Sequence, residues 1–127
     1  VQRGQNLPVS DTLVKNKDGA FAAPDDVGFK AAAAGADWAK SFYQILTEQP
    51  GKDTWPISGA TFIMMQKAQD KPAQAGNTLK FFEWAFLNGD KMASDLEYVP
   101  LPDSVKALVR KQWGDIKDTS GKAIAFK

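Results

Sequence analysis

Ser58-Gly59-Ala60-Thr61 sets two small hydroxyl side chains around a glycine, the makings of an anion cradle. Phosphate sites of this kind form where a helix begins, because free backbone N–H groups and the helix dipole point at the anion. Here the following residues, Phe62-Ile63-Met64-Met65, read as strand. The field of a helix is missing, and turn formation with packing accounts for the motif better. Two carboxylate pairs, Asp25 with Asp26 and Asp95 with Glu97, are of the right type for acid–base work. The first sits at a predicted helix N-terminus, where acidic residues are favoured without any catalysis. The second lies in a loop approach and reads as solvated surface.

The rest of the catalytic vocabulary is thin. The sequence contains no His and no Cys, which removes the usual nucleophile–base pairs, thiol chemistry and disulfides. No carboxylate group has calcium-loop spacing, so no metal site is expected. Met64-Met65 reads as gap-filling core before it reads as a ligand pair. Arg110-Lys111 reads as a solvated helix face. The aromatic residues are not interleaved with basic ones as base stacking requires. A net charge of +1 supplies no field for nucleic acid or an anionic membrane.

The elements that position these residues are read from turn signals and periodicity. The 127 residues suffice for one domain with a core. Residues 1–23 are turn-rich, with turns at Asn6-Leu7-Pro8 and Lys17-Asp18-Gly19, and a short strand at Thr12-Leu13-Val14. Residues 16–21 form a tight reversal in which Gly19 supplies a positive φ. Pro24-Asp25-Asp26 opens a helix that runs to about Ala34, with Gly35 as its cap and Val27 and Phe29 as its anchors. Its many small residues imply a close approach to a neighbour, and Trp38 reads as a core anchor. Residues 41–46 suit a strand by composition and a helix by the spacing of Phe42, Ile45 and Leu46. The strand is favoured because Gln49-Pro50-Gly51 follows as a turn.

Residues 55–65 organise the chain: a nearly continuous apolar run, expected to be a strand covered on both faces, with Pro56 near its start. A polar loop over 67–71 leads to Pro72 and a deeply packed helix over 74–87, with Leu79, Phe82 and Phe86 on one face and Phe81, Trp84 and Ala85 on another. Asn88-Gly89 ends it, and a short helix over 90–96 follows. The last helix begins at Leu101-Pro102-Asp103-Ser104, capped by Asp103 or Ser104, with Val105, Leu108, Val109 and Trp113 as its stripe and Gly114 as its end. Residues 118–121 form a turn, and 123–126 a short tail or terminal strand. The chain opens on Val1-Gln2-Arg3-Gly4 without an initiator Met and is expected to start at a cleaved or truncated end.

Taken in order, several motifs resemble one family. They are residues 55–65, Lys71-Pro72-Ala73-Gln74, Leu79-Lys80-Phe81-Phe82-Glu83-Trp84-Ala85, Asn88-Gly89-Asp90-Lys91, Leu101-Pro102-Asp103-Ser104-Val105 and Ile116-Lys117-Asp118-Thr119-Ser120-Gly121-Lys122. Gly35-Ala36-Asp37-Trp38 adds to the set. Together they resemble the C-terminal portion of the periplasmic phosphate-binding proteins of high-affinity phosphate ABC transporters, from about Gln5 onward.

The resemblance implies an α/β chain that is part of a two-lobe periplasmic-binding-protein fold of type II. It implies that residues 1–54 finish the second lobe and residues 55–127 return into the first. It further implies a periplasmic, non-enzymatic protein without cofactor, whose partners are inorganic phosphate, a membrane permease and the missing N-terminal portion. Nucleic acid is not among them. That family holds phosphate by backbone N–H groups at helix N-termini, Ser and Thr hydroxyls, an Arg and an Asp. No position here matches those motifs, so no phosphate-binding residue is assigned and Ser58 and Thr61 stay outside the site. The rival readings are an extracellular interaction or adhesion protein on the same scaffold and, more remotely, an acid–base enzyme using Asp95 or Glu97.

Overall fold

The turn chemistry around Gly19 sets the first element. In the computed structural model, which describes residues 10–126, Gly19 has φ +84° and reverses the chain between β1 (Val14–Lys15) and β2 (Phe21–Ala22). These strands pair antiparallel, Val14 opposite Ala22 and Lys15 opposite Phe21. The strand expected at Thr12-Leu13-Val14 thus begins at Val14. The Asn6-Leu7-Pro8 turn lies outside the described residues.

Asn16 fastens the hairpin to the rest. Its buried amide Nδ2 donates to the carbonyls of Gly51, Lys52 and Thr54 at 3.1, 2.9 and 3.2 Å. Its Oδ1 accepts from the N–H groups of Asp18 and Ala20, each at 3.1 Å. The Asp18 carboxylate accepts from the N–H of Gly51 at 2.8 Å. Gly51 itself has φ +125°, a conformation that favours glycine.

Helix α1 (Asp26–Gly35) starts where its sequence says it must. Asp25 is the N-cap and accepts from the N–H of Gly28 at 2.9 Å. The expected anchors are only half right. Phe29 is partly buried, its ring 6.3 Å from that of Trp55, but Val27 is 64% exposed. The helix buries its small residues instead, Gly28, Ala32 and Ala33. The carbonyl of Gly28 accepts from the N–H of Trp55 at 3.1 Å. A Cβ at Gly28 would lie 2.8 Å from the Ala23 carbonyl oxygen and 3.1 Å from Trp55 Cβ, so glycine is what permits this approach. Trp38 is buried, as expected, and its indole N–H donates to the carbonyl of Ala33 at 2.6 Å.

Residues 41–46 are neither strand nor helix. Leu46 is buried while Tyr43 and Ile45 are exposed, so the segment is held by single side chains rather than by a ladder. Residues 55–65 also depart from expectation. Trp55 is buried, but Phe62, Ile63 and Met64 are 50, 60 and 95% exposed and the segment forms no strand. A strand needs a neighbour to take its backbone groups. Among the described residues the sheets are two separate two-stranded pairs, and neither pairs with this segment. The expected polar loop over 67–71 contains β3 (Ala68–Gln69), which pairs parallel with β4 (Lys117–Asp118).

Helix α2 (Pro72–Asn88) has Pro72 in its first turn and buries Ala75, Gly76 and Leu79. Phe82 and Phe86 pack against the core, but Phe81, Trp84 and Leu87 are about half or more exposed. The helix is amphipathic rather than packed all round. Helix α3 (Asp90–Asp95) follows directly, with Met92 and Leu96 exposed. Helix α4 (Asp103–Gln112) has Pro102 at its N-cap position and no side-chain cap. Asp103 sits in its first turn, not at the cap. A single 3-10 turn, Trp113–Asp115, extends it through Gly114 rather than ending there. The tail is a lone antiparallel bridge, Lys117 with Ala123, followed by buried Ile124.

Two apolar clusters meet along α4. One gathers Ala75, Leu79, Trp113, Ile116 and Ile124, with Trp113 stacked on Phe86 at 5.7 Å and edge-on to Phe126 at 5.6 Å. The other gathers Ala33, Trp38, Leu46 and Val105, drawing on residues from both ends of the chain. Val109 packs against both.

Asn16→Ala is expected to destabilise the chain by about 2–3 kcal/mol, because it strands the buried Thr54 carbonyl and frees the hairpin. Asn16→Asp keeps the acceptor but sets a carboxylate oxygen against carbonyl oxygens, and is expected to cost at least as much. Urea denaturation followed by far-UV circular dichroism measures both.

Candidate functional site

An open groove of about 550 Å³ is the main concavity bearing on function. Its walls come from the loop after α1 (Trp38, Phe42), the unpaired segment (Phe62, Ile63), α2 (Phe82) and α4 (Val105). These side chains present aromatic and aliphatic surface. A dehydrated anion requires converging N–H, hydroxyl or guanidinium donors; the groove is mostly apolar, and its side-chain donors include those of Lys40, Ser41, Thr61, Lys67 and Gln112. Of its two lysines, Lys67 is 3.9 Å from the carboxylate of Asp115.

The structure separates the residues whose types suggested chemistry. Ser58 is buried, and its hydroxyl donates to the carbonyl of Trp55 at 2.9 Å, closing a turn. Thr61 is exposed, and the next helix begins only at Pro72. No helix therefore starts at Ser58-Gly59-Ala60-Thr61 itself. Asp25 caps α1, and Asp26 pairs with Lys30 one turn on at 3.3 Å. Asp95 pairs with Lys91 at 2.7 Å. Glu97 takes a positive φ of 60° at the turn after α3. Asp25, Asp26 and Asp95 thus each have a local structural use. Among the described residues, no group of three or more acidic side chains is gathered to hold a metal.

Two charged constellations escaped the sequence reading. Lys106 is 3% exposed, deep enough to require a partner. Its ammonium bonds both carboxylate oxygens of Asp90 at 2.7 and 2.6 Å and the carbonyl of Phe86 at 3.3 Å, with Asp103 3.8 Å away. This ties α4 to the junction of α2 and α3. One turn on, the Nε of Arg110 donates to Glu83 at 2.7 Å while its guanidinium lies 5.5 Å from the centre of the Phe86 ring. The available signal was the i, i+3 and i, i+4 spacing of Asp103, Lys106 and Arg110 on one helix face. Both cations have carboxylate partners within the chain.

Asp118 carries the clearest electrostatic perturbation. The Ser120 hydroxyl donates to it at 2.6 Å, and the N–H groups of Lys122 and Ser120 each donate at 2.9 Å. Chiefly through the hydroxyl and then the Lys122 N–H, these bonds hold its carboxyl below the ordinary value of 3.8. The loop is a closed structural turn ending at Gly121, whose φ is +85°.

No family model matches the chain. It is 39% identical over 102 residues to the phosphate-binding protein PstS of Haemophilus influenzae, covering 79% of this chain and 30% of that protein. The PstS of Pasteurella multocida is 39% identical over 114 residues, 87% of this chain and 33% of the relative. That of Xylella fastidiosa is 40% identical over 107 residues, 83% of this chain and 29% of the relative.

The Asp118 loop makes a pH prediction. Its contribution to stability is fully present above 3.8 and is lost as pH falls through the lowered folded value. In a carboxyl NMR titration the Asp118 midpoint is expected below 3.8, and Ser120→Ala is expected to raise it. The chain spans about a third of the length of the curated relatives it matches. Over roughly four-fifths of its own length, at about two residues in five identical, this chain is PstS-like.

Proposed function

We propose that this chain is part of the substrate-binding component of a phosphate ABC transporter. That component captures inorganic phosphate between two α/β lobes in the periplasm and hands it to a membrane permease. The observation that carries this is the 39–40% identity, over most of the chain, to proteins named for phosphate binding. Among the described residues no helix is long and apolar enough to cross a membrane, so the reading needs a separate permease. The protein binds and releases its ligand without transforming it, and no cofactor enters.

In this reading residues 1–54 finish the second lobe and residues 55–127 return into the first, with the strand-like segment as the crossing. The fold is then a two-lobe periplasmic-binding-protein fold of type II, to which this chain contributes about a third. The cluster of Ala33, Trp38, Leu46 and Val105 is the contact between the two parts. The phosphate donors lie in the portion of a PstS-length polypeptide that these residues do not cover. Neither the apolar groove nor the committed cations Lys106 and Arg110 offers a substitute. Lobe closure would form the site, with fixed dipoles replacing the hydration shell of the anion.

Calorimetry with inorganic phosphate tests this in two forms. The chain alone is expected to show no binding at micromolar concentrations. A chimera in which it replaces the matching third of the Xylella fastidiosa protein is expected to bind phosphate. Micromolar binding by the chain alone would contradict the placement of the donors elsewhere. A folded chimera that ignores phosphate would remove the transport reading itself.

A further inference from the structure

Asn88-Gly89 is the only Asn-Gly pair in the sequence. Such a pair is among the most self-reactive in protein chemistry. The backbone nitrogen of the glycine, unhindered by a side chain, attacks the side-chain amide carbon of the asparagine. A new C–N bond closes a succinimide ring, the Cγ–Nδ2 bond breaks, and ammonia leaves with the proton of the glycine N–H. Water then opens the ring at either carbonyl and gives aspartate or isoaspartate. Asn88 is exposed, so water reaches it.

The fold ties down the atoms that this reaction must free. Asn88 is the last residue of α2, and its Nδ2 donates to the Trp84 carbonyl at 3.0 Å. The attacking nitrogen, that of Gly89, donates to the Ala85 carbonyl at 2.8 Å. The Gly89 carbonyl in turn accepts from the N–H of Ala93 at 2.8 Å. Ring closure turns the Asn88 backbone out of the helical conformation and breaks the bond from Gly89 to Ala85. A Cβ at Gly89 would lie 2.6 Å from the Ala85 carbonyl oxygen. The junction therefore takes glycine, the residue that also leaves its nitrogen most open to attack.

Helix ends open locally far more readily than a whole domain unfolds, and the junction is the end of α2 and the start of α3. Lys106 fastens it from outside. Its buried ammonium bonds the carbonyl of Phe86, in the last turn of α2, and both carboxylate oxygens of Asp90, the first residue of α3. These contacts flank Asn88 on both sides. The carbonyls of a last helical turn lack intrahelical partners, and a lysine can supply one.

We propose that Asn88-Gly89 is a latent deamidation site held unreactive by the Lys106 clamp, so that opening of the α2–α3 junction marks the chain irreversibly. The mark also keeps the junction open. A new carboxylate at position 88 meets the negative end of the α2 dipole. Isoaspartate at that position adds a main-chain atom and takes the Gly89 N–H out of register with Ala85.

Peptide mapping by mass spectrometry, after incubation in mildly alkaline buffer, reads deamidation at Asn88 directly. In the folded chain it is expected to run at least about tenfold slower than in the same buffer with urea. Lys106→Met keeps most of the side-chain bulk and drops the charge. It is expected to raise the native rate about threefold or more. Asp90→Ala removes the other partner and is expected to do the same, which covers a lysine variant that fails to fold. Asn16→Ala weakens the fold far from the junction and, while still folded, is expected to leave the Asn88 rate unchanged. Where circular dichroism shows the chain alone unfolded, the same comparisons are made in the folded chimera with the Xylella fastidiosa protein. Equal rates with and without urea would overturn the proposal. So would a native rate indifferent to both Lys106→Met and Asp90→Ala, or one raised as much by Asn16→Ala.

Discussion

The apolar stripe of α4 is the constraint on which both halves of the structure depend. Val105, Val109 and Trp113 recur every fourth residue and so lie on one face. Val105 is buried among Ala33, Trp38 and Leu46, Trp113 among Leu79, Ile116 and Ile124, and Val109 touches both clusters. Neither cluster is large, and a small core loses much of its stability when a wall is removed. One helix therefore supplies a wall to each. Its opposite flank is held by the buried Lys106 and by Arg110, whose carboxylate partners all come from α2, α3 or the first turn of α4. Rotation of α4 about its axis would expose Trp113 and bury unpaired charge together, so its orientation is strongly specified.

Against that firm face stands a segment held by few side chains: Ser58 is buried and Ala60 and Met65 pack against the two clusters. Folding must place backbone donors and acceptors as well as apolar side chains, and among the described residues no backbone N–H in 57–66 donates to another backbone group. The groove beside them is the same deficit seen from the α4 side: apolar walls from Trp38, Phe82 and Val105 without filling. An apolar concavity is weak evidence for a small-molecule site unless polar groups converge in it.

Local chemistry made the hairpin, α1, α2 and α4 legible in the sequence. Gly19 dictated a reversal, Pro24-Asp25-Asp26 a helix start, Pro72 a first turn, and the recurrence of Val105, Val109 and Trp113 a helix face. What could not be read was set by distant partners. Lys106 reads as surface until Asp90 is brought to it from the start of α3. Asn16 reads as a turn residue, yet its amide also closes contacts with carbonyls at 51, 52 and 54. Residues 55–65 were legible in composition, an apolar run, but the strand that composition suggested does not form. The phosphate resemblance was carried by ordered motifs, and no donor geometry in these residues would have led to it.

The Asn16 clasp bears on the order in which the chain can become structured. It joins residues separated by 35 to 38 positions, and every group it uses precedes Trp55. During synthesis from the N-terminus, hairpin, α1 and the loop at Gly51 can lock as soon as that stretch clears the ribosome, before α2 or α4 exists. The closing of this loop costs the same entropy whether or not the remainder follows. Trp38 and Leu46, by contrast, must wait for Val105. The clasp is thus complete within the first 54 residues, whereas the cluster around Trp38 closes only with Val105.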